Sequence, residues 1–121
     1  MQLNHLDLPV SDIGAARRFF EQHFGLRCLL QRDDGFALLV DEGGFALTCS
    51  LLPAGERLAY PGGFHVGFNL GSAQEVRAVF DRLLQADVQV LRPLESFPGA
   101  LSFQCCGPDA IVVEVAWRSP A

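Results

Sequence analysis

Two histidines and one glutamate are the side chains of this sequence best suited to metal chemistry. His5 and His65 each lie in a stretch of alternating polarity, and Glu114 lies in a third stretch between Val113 and Val115. Period-two alternation is typical of half-buried strands, so helices covering the bulky faces would leave these three side chains on a shared concave surface. Two imidazoles and one carboxylate suit a divalent first-row metal and leave coordination positions open. We therefore predict that His5, His65 and Glu114 bind a metal ion.

A strand–helix–strand–strand–strand pattern, present twice, must position these residues. The alternating stretches predict strands at about 3–10, 26–32, 36–41, 45–52, 64–70, 87–92, 101–106 and 111–117. Ser11-Asp12 predicts the start of one helix and Gly25 its end. Ser72 and Glu75 have the spacing of a capping box, which predicts the start of the second helix.

The two halves of the chain align at an offset of 60 residues. His5 then falls on His65, Arg17 on Arg77 and Phe20 on Phe80, and the same element order occurs in both halves. Solenoids need at least three repeats, so two favour a domain of paired modules. We expect a single domain, 1–121, made of module 1–52, linker 53–62 and module 63–121.

Composition limits the classes of partner. The chain has 121 residues, 50% of them hydrophobic, and a formal net charge of −5, which argues against nucleic-acid binding. It contains no run of about 20 apolar residues, and its N-terminus lacks the features of a signal peptide, so no membrane association is expected. The four cysteines show no disulfide-framework spacing, which favours reduced thiols in a cytoplasmic protein.

The chain resembles the vicinal oxygen chelate superfamily over nearly its whole length. This superfamily includes glyoxalases, bleomycin-resistance proteins, extradiol dioxygenases and fosfomycin thiol-transferases. The resemblance is carried by the opening 3–12, the helix end 19–26, the second opening 63–68 and the closing turn and strand 107–115. It implies an α+β fold of paired βαβββ modules, whose curled mixed sheet surrounds a cleft in a homodimer.

The same resemblance places His5, His65 and Glu114 at the family's ligand positions on the first, fifth and eighth strands. It implies a divalent ion (Fe, Mn, Ni or Zn) and a small oxygen-bearing substrate. Glyoxalases of the family add a Glu or Gln from the fourth strand. Here the turn spacing nominates Cys49 for that position, and the small-residue face nominates Thr48 or Ser50. None of these is a carboxylate, so the usual base for proton transfer is missing.

Three ligands fit the thiol-transferase and dioxygenase branches better, yet neither branch is matched fully. Arg118 does not reproduce the thiol-transferase arginine pattern, Tyr60 falls in the linker, and His23 ends a helix. We expect Asp7 or Asn69 to orient the metal ligands. Four residues are expected as walls of a substrate pocket: Tyr60, Arg92, Phe97 and Phe103. Of the adjacent Cys105 and Cys106, only one thiol should reach the cleft, because neighbouring strand residues face opposite ways.

Three functions are compatible with these features. The first is a metal-dependent enzyme, a lyase, dioxygenase or thiol-transferase, in which the ion polarises adjacent substrate oxygens. The second is a metal-free protein of the bleomycin-resistance type that holds a small aromatic ligand in a dimer cleft. The third is a module whose metal site is vestigial. The ligand set favours the enzyme, because family members that only sequester drugs typically lack these ligands.

Overall fold

The computed structural model describes residues 1–120 and divides into two compact units, with the boundary between Ala59 and Tyr60. This boundary lies inside the stretch 53–62, which the sequence predicts as the linker. Ala121, the last residue of the predicted second module, lies outside the described residues.

The first unit contains one helix and one four-stranded sheet. Its elements are β1 (His5–Val10), α1 (Ile13–Phe24), β2 (Arg27–Arg32), β3 (Phe36–Val40) and β4 (Ala46–Leu51). The sheet order is β1-β4-β3-β2; β1 and β4 are parallel, and the other neighbours are antiparallel. A parallel pair requires a long crossover, and α1 with the β2–β3 hairpin provides it.

The second unit repeats this arrangement. Its elements are β5 (His65–Asn69), α2 (Ala73–Gln85), β6 (Val90–Phe97), β7 (Ala100–Cys106) and β8 (Val112–Arg118), with a short 3₁₀ turn at Pro108–Ala110. The sheet order is β5-β8-β7-β6, again with a parallel pair, β5 and β8, at one side. The predicted α+β fold with βαβββ order in each half is therefore confirmed.

Both helices begin where the capping residues predict, and α1 ends at the predicted Gly25. Asp12 accepts a hydrogen bond from the Ala15 amide at 2.9 Å, and Ser72 accepts one from the Glu75 amide at 3.1 Å. Gly25 ends α1 with φ 68°, a conformation that glycine adopts without a steric penalty. The two helices have 12 and 13 residues. Among residues 1–120, no helix combines the length and apolarity that a bilayer crossing requires.

The sixth strand differs most from its prediction. The sequence predicts it at about 87–92, whereas β6 occupies Val90–Phe97. Its pairing with β7 shifts register twice, between Val90 and Arg92 and between Arg92 and Glu95. These irregularities accommodate Pro93, which cannot donate a ladder hydrogen bond, and they break the alternation from which a strand is recognised.

Each helix packs on one face of its own sheet and forms a separate core. In the first unit α1 contacts β2, β3 and β4, and in the second α2 contacts β6, β7 and β8. Side chains of both sheets alternate between buried and partly exposed, so every strand has a helix-covered face and a face that α1 or α2 does not cover. Phe20 is fully buried in the first core. In the second core Phe103 packs edge-on against Phe80, with the ring centroids 5.1 Å apart.

Each core contains one fully buried thiol. Burial raises the pKa of Cys49 to about 12, with smaller contributions from Asp7 and Cys28, and burial raises the pKa of Cys105 to about 11. Both thiols are therefore protonated and poorly nucleophilic at neutral pH. None of the four cysteines forms a disulfide.

These thiols make folding stability sensitive to alkaline pH. Below about pH 9 both thiols are protonated in the folded and unfolded chains, so their contribution is fully present. As the pH rises above about 9, the unfolded chain releases thiol protons that the folded chain retains until pH 11–12. We expect the free energy of unfolding, measured by urea denaturation, to fall as the pH rises from about 9 towards about 11.

The control is the double substitution Cys49→Ala and Cys105→Ala. This variant should be less stable at neutral pH because it leaves small cavities, but its stability should decline less steeply with pH. Equal slopes in the two proteins would show that other groups cause the alkaline loss.

Candidate functional site

His65 and Glu114 lie on the face of the second sheet that α2 does not cover. β5 and β8 run parallel, with His65 opposite Val112 and Gly67 opposite Glu114. Val113 is fully buried, so its neighbour Glu114 faces the opposite way. Parallel pairing and period-two alternation together bring the imidazole and the carboxylate to the same surface.

The two side chains approach each other without a direct hydrogen bond. His65 Nε2 is 3.9 Å from Glu114 Oε2, a separation longer than a hydrogen bond permits. The side chains are 46% and 30% exposed, respectively, so both remain accessible from solvent.

A backbone carbonyl sets the proton position on His65. His65 Nδ1 lies 3.1 Å from Gly63 O. A carbonyl oxygen can only accept, so the imidazole donates from Nδ1 and, when neutral, has its lone pair on Nε2. This is the atom that faces Glu114, and donation from the second ring nitrogen is the usual support of a metal-binding histidine.

The donor pair fits a divalent first-row metal. Two atoms bound to one ion at about 2.0–2.2 Å cannot be more than about 4.4 Å apart, and the observed 3.9 Å falls within that limit. Imidazole nitrogen and carboxylate oxygen are ordinary ligands of zinc, manganese, iron and nickel. Neither unit, over residues 1–120, assembles three His, Cys, Asp or Glu side chains into a metal-binding group, so the pair supplies two donors.

His5 in the first unit is oriented in a similar way. Its Nδ1 lies 2.7 Å from Asn4 Oδ1, which is an acceptor, so the imidazole again donates from Nδ1. Neither Asn4 nor Gly63 is identified by the sequence reasoning, which nominates Asp7 and Asn69 for this role. An acceptor immediately before a strand histidine is the signal that could have identified Asn4.

Asp7 is held by two hydroxyls rather than by a histidine. Thr48 donates to Asp7 Oδ1 at 2.7 Å, and Ser50 donates to Asp7 Oδ2 at 2.6 Å. All three lie on the face of the first sheet that α1 does not cover, because Asp7 pairs with Thr48 and Pro9 with Ser50. These bonds fix the orientation of the carboxylate.

Strand register resolves which residue of β4 corresponds to Glu114. Asp7 is opposite Thr48 just as Gly67 is opposite Glu114, so Thr48 occupies the equivalent position. Cys49, which the turn spacing nominates, instead faces the core and is fully buried. No carboxylate occupies this position of β4.

A row of polar side chains extends across the second sheet from Glu114. Gln104 pairs with Glu114 and Arg92 pairs with Gln104, so the row runs Gly67, Glu114, Gln104, Arg92 over four strands. Gln104 Nε2 lies 3.4 Å from Glu114 Oε1, a long contact that orients the carboxylate. The sequence reasoning does not identify Gln104, although its alternation with buried Phe103 and Cys105 indicates this face.

The other predicted pocket residues are dispersed. Phe103 is fully buried in the core, on the opposite face of β7 from Gln104, so it is not a wall of a pocket beside Glu114. Tyr60 stacks on Phe64, with the ring centroids 4.9 Å apart. Phe97, at the end of β6, is 56% exposed.

The remaining polar positions follow the alternation of their strands. Asn69 is exposed on β5, two residues beyond Gly67 and on the same face. Of the adjacent thiols, Cys105 is buried and Cys106 is partly exposed. Their opposite orientation is the one expected for neighbours on a strand.

Comparisons with known proteins agree with this architecture. The family model of the glyoxalase/bleomycin resistance protein/dioxygenase superfamily matches residues 2–115. A solved structure of a possible glyoxalase from Bacillus cereus is 36% identical, with a TM-score of 0.83 and coverage of 95% of this chain and 97% of that one. A glyoxalase-related enzyme from Fulvimarina pelagi is 25% identical, with a TM-score of 0.77 and coverage of 98% and 88%.

A more distant structure shares the fold. Lactoylglutathione lyase from Agrobacterium tumefaciens is 21% identical, with a TM-score of 0.78 and coverage of 96% of this chain and 92% of that one. No functionally curated protein matches the sequence. The family match extends over nearly the whole chain and the fold similarity over both units, and on these grounds the chain belongs to the glyoxalase/bleomycin resistance protein/dioxygenase superfamily.

Proposed function

We propose that this protein is a metal-dependent enzyme that acts on a small molecule bearing adjacent oxygen atoms. The observation that carries the proposal is the pairing of His65 Nε2 with Glu114 Oε2 at 3.9 Å, combined with the contact of His65 Nδ1 with Gly63 O. A neutral imidazole and a carboxylate that approach without hydrogen bonding have unshared donor atoms available for one ion. In this proposal they are two of its protein ligands.

The sequence also nominates His5, in the first unit, as a metal ligand. It falls on His65 when the two halves of the sequence are aligned, and it begins β1 as His65 begins β5. Its imidazole likewise donates from Nδ1 to an oxygen acceptor, here Asn4 Oδ1 at 2.7 Å. This leaves Nε2 of the neutral ring as the donor atom for a metal.

The chemistry follows from the ligand set. A divalent ion held by His65 and Glu114 would supply Lewis-acid polarisation of the substrate oxygens. Gln104 orients the Glu114 carboxylate through its amide. Gly67, opposite Glu114, has no side chain, and a Cβ placed there would have no neighbour within 4 Å, so the surface beside the carboxylate can admit a substrate.

Proton transfer by a carboxylate of β4 is not a property of this chain. The equivalent position is Thr48, whose hydroxyl donates to Asp7. Asp7 is the nearest carboxylate to that position, but both of its oxygens already accept hydrogen bonds. The proposal therefore assigns polarisation of the substrate to the metal site and assigns no base to β4.

The first prediction concerns metal affinity. After treatment with a chelator, the protein should bind close to one equivalent of Ni²⁺ or Zn²⁺ in isothermal titration calorimetry. His65→Ala, Glu114→Gln and His5→Ala should each weaken binding by more than about 100-fold, because each removes a direct ligand. His23→Ala and Glu95→Gln are the controls; they remove the same chemical groups elsewhere and should bind metal as the wild type does.

Two results would contradict the proposal. One is the absence of metal binding together with tight binding of a planar aromatic drug such as bleomycin, which would favour a sequestering protein. The other is equal metal affinity in the wild type and the His65→Ala and Glu114→Gln variants. Loss in these two variants with retention in His5→Ala would remove His5 from the ligand set.

The second prediction tests the orientation of His5. Asn4→Ala removes the acceptor for Nδ1, and supporting contacts of this kind contribute about 10–100-fold to metal affinity. Asn4→Asp retains an acceptor oxygen and should preserve affinity to a greater extent. If Asn4→Ala and Asn4→Asp weaken metal binding equally, a role of the amide oxygen in positioning His5 is contradicted.

The third prediction separates metal binding from substrate binding. Gly67→Leu places a side chain opposite Glu114, at a position where a Cβ would have no neighbour within 4 Å. We expect its thermal stability and metal affinity to remain close to those of the wild type, while affinity for an oxygen-chelating ligand such as catechol falls at least about 10-fold. Unchanged catechol affinity in Gly67→Leu would place the substrate elsewhere.

A further inference from the structure

We propose that Arg92 binds an anionic group of the substrate, so that the substrate carries a carboxylate or phosphate in addition to its metal-chelating oxygens. The chelating half of this inference rests on the proposed function; the anion-binding half rests on the second sheet alone. The juxtaposition that carries it is the cross-strand row of Glu114, Gln104 and Arg92.

The separation of Arg92 from Glu114 determines how long a ligand that contacts both must be. Arg92 and Glu114 are separated by one intervening strand, so their backbones lie about 10 Å apart. Both side chains project from the same face, because Arg92 pairs with Gln104 and Gln104 pairs with Glu114. A molecule that reaches from an ion at Glu114 to the guanidinium of Arg92 is therefore the size of a small metabolite.

The guanidinium of Arg92 is a cation without an ion pair in residues 1–120. The ion pairs of Arg17 with Glu21 and of His65 with Glu114 do not involve Arg92. Arg92 is directly opposite the neutral Gln104. An exposed arginine keeps its charge and presents several donors in a planar fork, which matches the two oxygens of a carboxylate or phosphate.

The backbone of β6 is irregular on both sides of Arg92. Register shifts separate Arg92 from Val90 and from Glu95, and Pro93 follows directly. Bulges change the direction of a side chain and are frequent beside active sites. Because of these bulges, Arg92 pairs with Gln104 and so joins the row of Glu114. The next paired residue of β6, Glu95, lies opposite Ser102.

Arg118 provides the contrast within the same face. It lies four residues beyond Glu114 on β8 and pairs with Ala100 rather than with a residue of the row. At about 3.3 Å per residue, its backbone is roughly 13 Å along the strand from Glu114. The row therefore assigns anion binding to Arg92 and leaves Arg118 as a control with the same charge and the same face.

The test uses two probes that differ by one charge, 3,4-dihydroxybenzoate and its methyl ester. Both carry adjacent oxygens for the ion, and only the acid carries a carboxylate. We expect Zn²⁺-loaded wild type to bind the acid at least about 10-fold more tightly than the ester, as measured by calorimetry. Arg92→Met should reduce this ratio to about 1, whereas Arg118→Met should retain it.

A second measurement does not depend on the metal. Benzoate and phenyl phosphate are titrated into the metal-free protein while ¹H–¹⁵N spectra are recorded. Both anions should shift the amide signals of β6 in the wild type and in Arg118→Met but not in Arg92→Met. The anion with the lower dissociation constant identifies the group, carboxylate or phosphate, that Arg92 accommodates better.

The outcomes separate this inference from the proposed function. If the wild type does not bind metal, the proposed metal site is contradicted. The metal-free titration still decides the role of Arg92. An acid-to-ester ratio near 1 in metal-loaded wild type, or a ratio that survives in Arg92→Met, overturns anion binding by Arg92. So does a benzoate shift of β6 that persists in Arg92→Met.

Discussion

The parallel pairing of the first and last strands of each unit is the constraint on which the rest of this structure depends. In each unit the first strand pairs with the last, β1 with β4 and β5 with β8, and one face of the sheet is covered by a helix. Because side chains alternate, this register decides which residues enter the core and which remain available for chemistry. A slip of one residue in β8 would exchange Glu114 with Val113 or Val115 and would bury a carboxylate, which costs several kcal/mol unless it is paired.

The same register exposes a difference between the duplicated halves. In the second unit a small residue on the first strand, Gly67, lies opposite a carboxylate on the last strand, Glu114. In the first unit the carboxylate is on the first strand, as Asp7, and the small hydroxyl residue is on the last, as Thr48. The hydroxyls of Thr48 and Ser50 donate hydrogen bonds to both Asp7 oxygens. Glu114 has only a long contact with Gln104 and lies 3.9 Å from His65 Nε2. Duplication therefore preserved the strand framework while the polar face diverged, and the less fully bonded carboxylate is the one beside a histidine.

Much of the framework could be predicted from the sequence because its signals are local. Asp12, Ser72 and Gly25 mark helix ends by hydrogen bonding or backbone conformation, and the observed helices begin and end accordingly. Alternation likewise placed the strands to within a few residues, except in β6, where bulges remove the alternation itself.

The contacts of the site were less predictable because they depend on register between distant strands. The sequence leaves Cys49, Thr48 and Ser50 as possible counterparts of Glu114, and the pairing of β1 with β4 decides between them. The roles of Asn4 and Gly63 depend on side-chain and loop geometry that no periodicity encodes. Phe103, expected as a pocket wall, lies in the core because its neighbours Ser102 and Gln104 take the opposite face of β7.

Separation of the two faces also explains why the polar surface can change without loss of the fold. Removing a buried aromatic ring such as Phe103 costs about 3–5 kcal/mol, a large part of the stability of a small domain. Substitutions at exposed positions usually cost no more than about 0.5 kcal/mol, and Arg92 and His65 are exposed. The cores therefore restrict the helix-covered residues, while polar residues on the opposite face, such as Thr48 and Arg92, can be replaced at little cost in stability. A family with one fold and several chemistries is the expected consequence, and the individual activity has to be argued from the polar face of each chain.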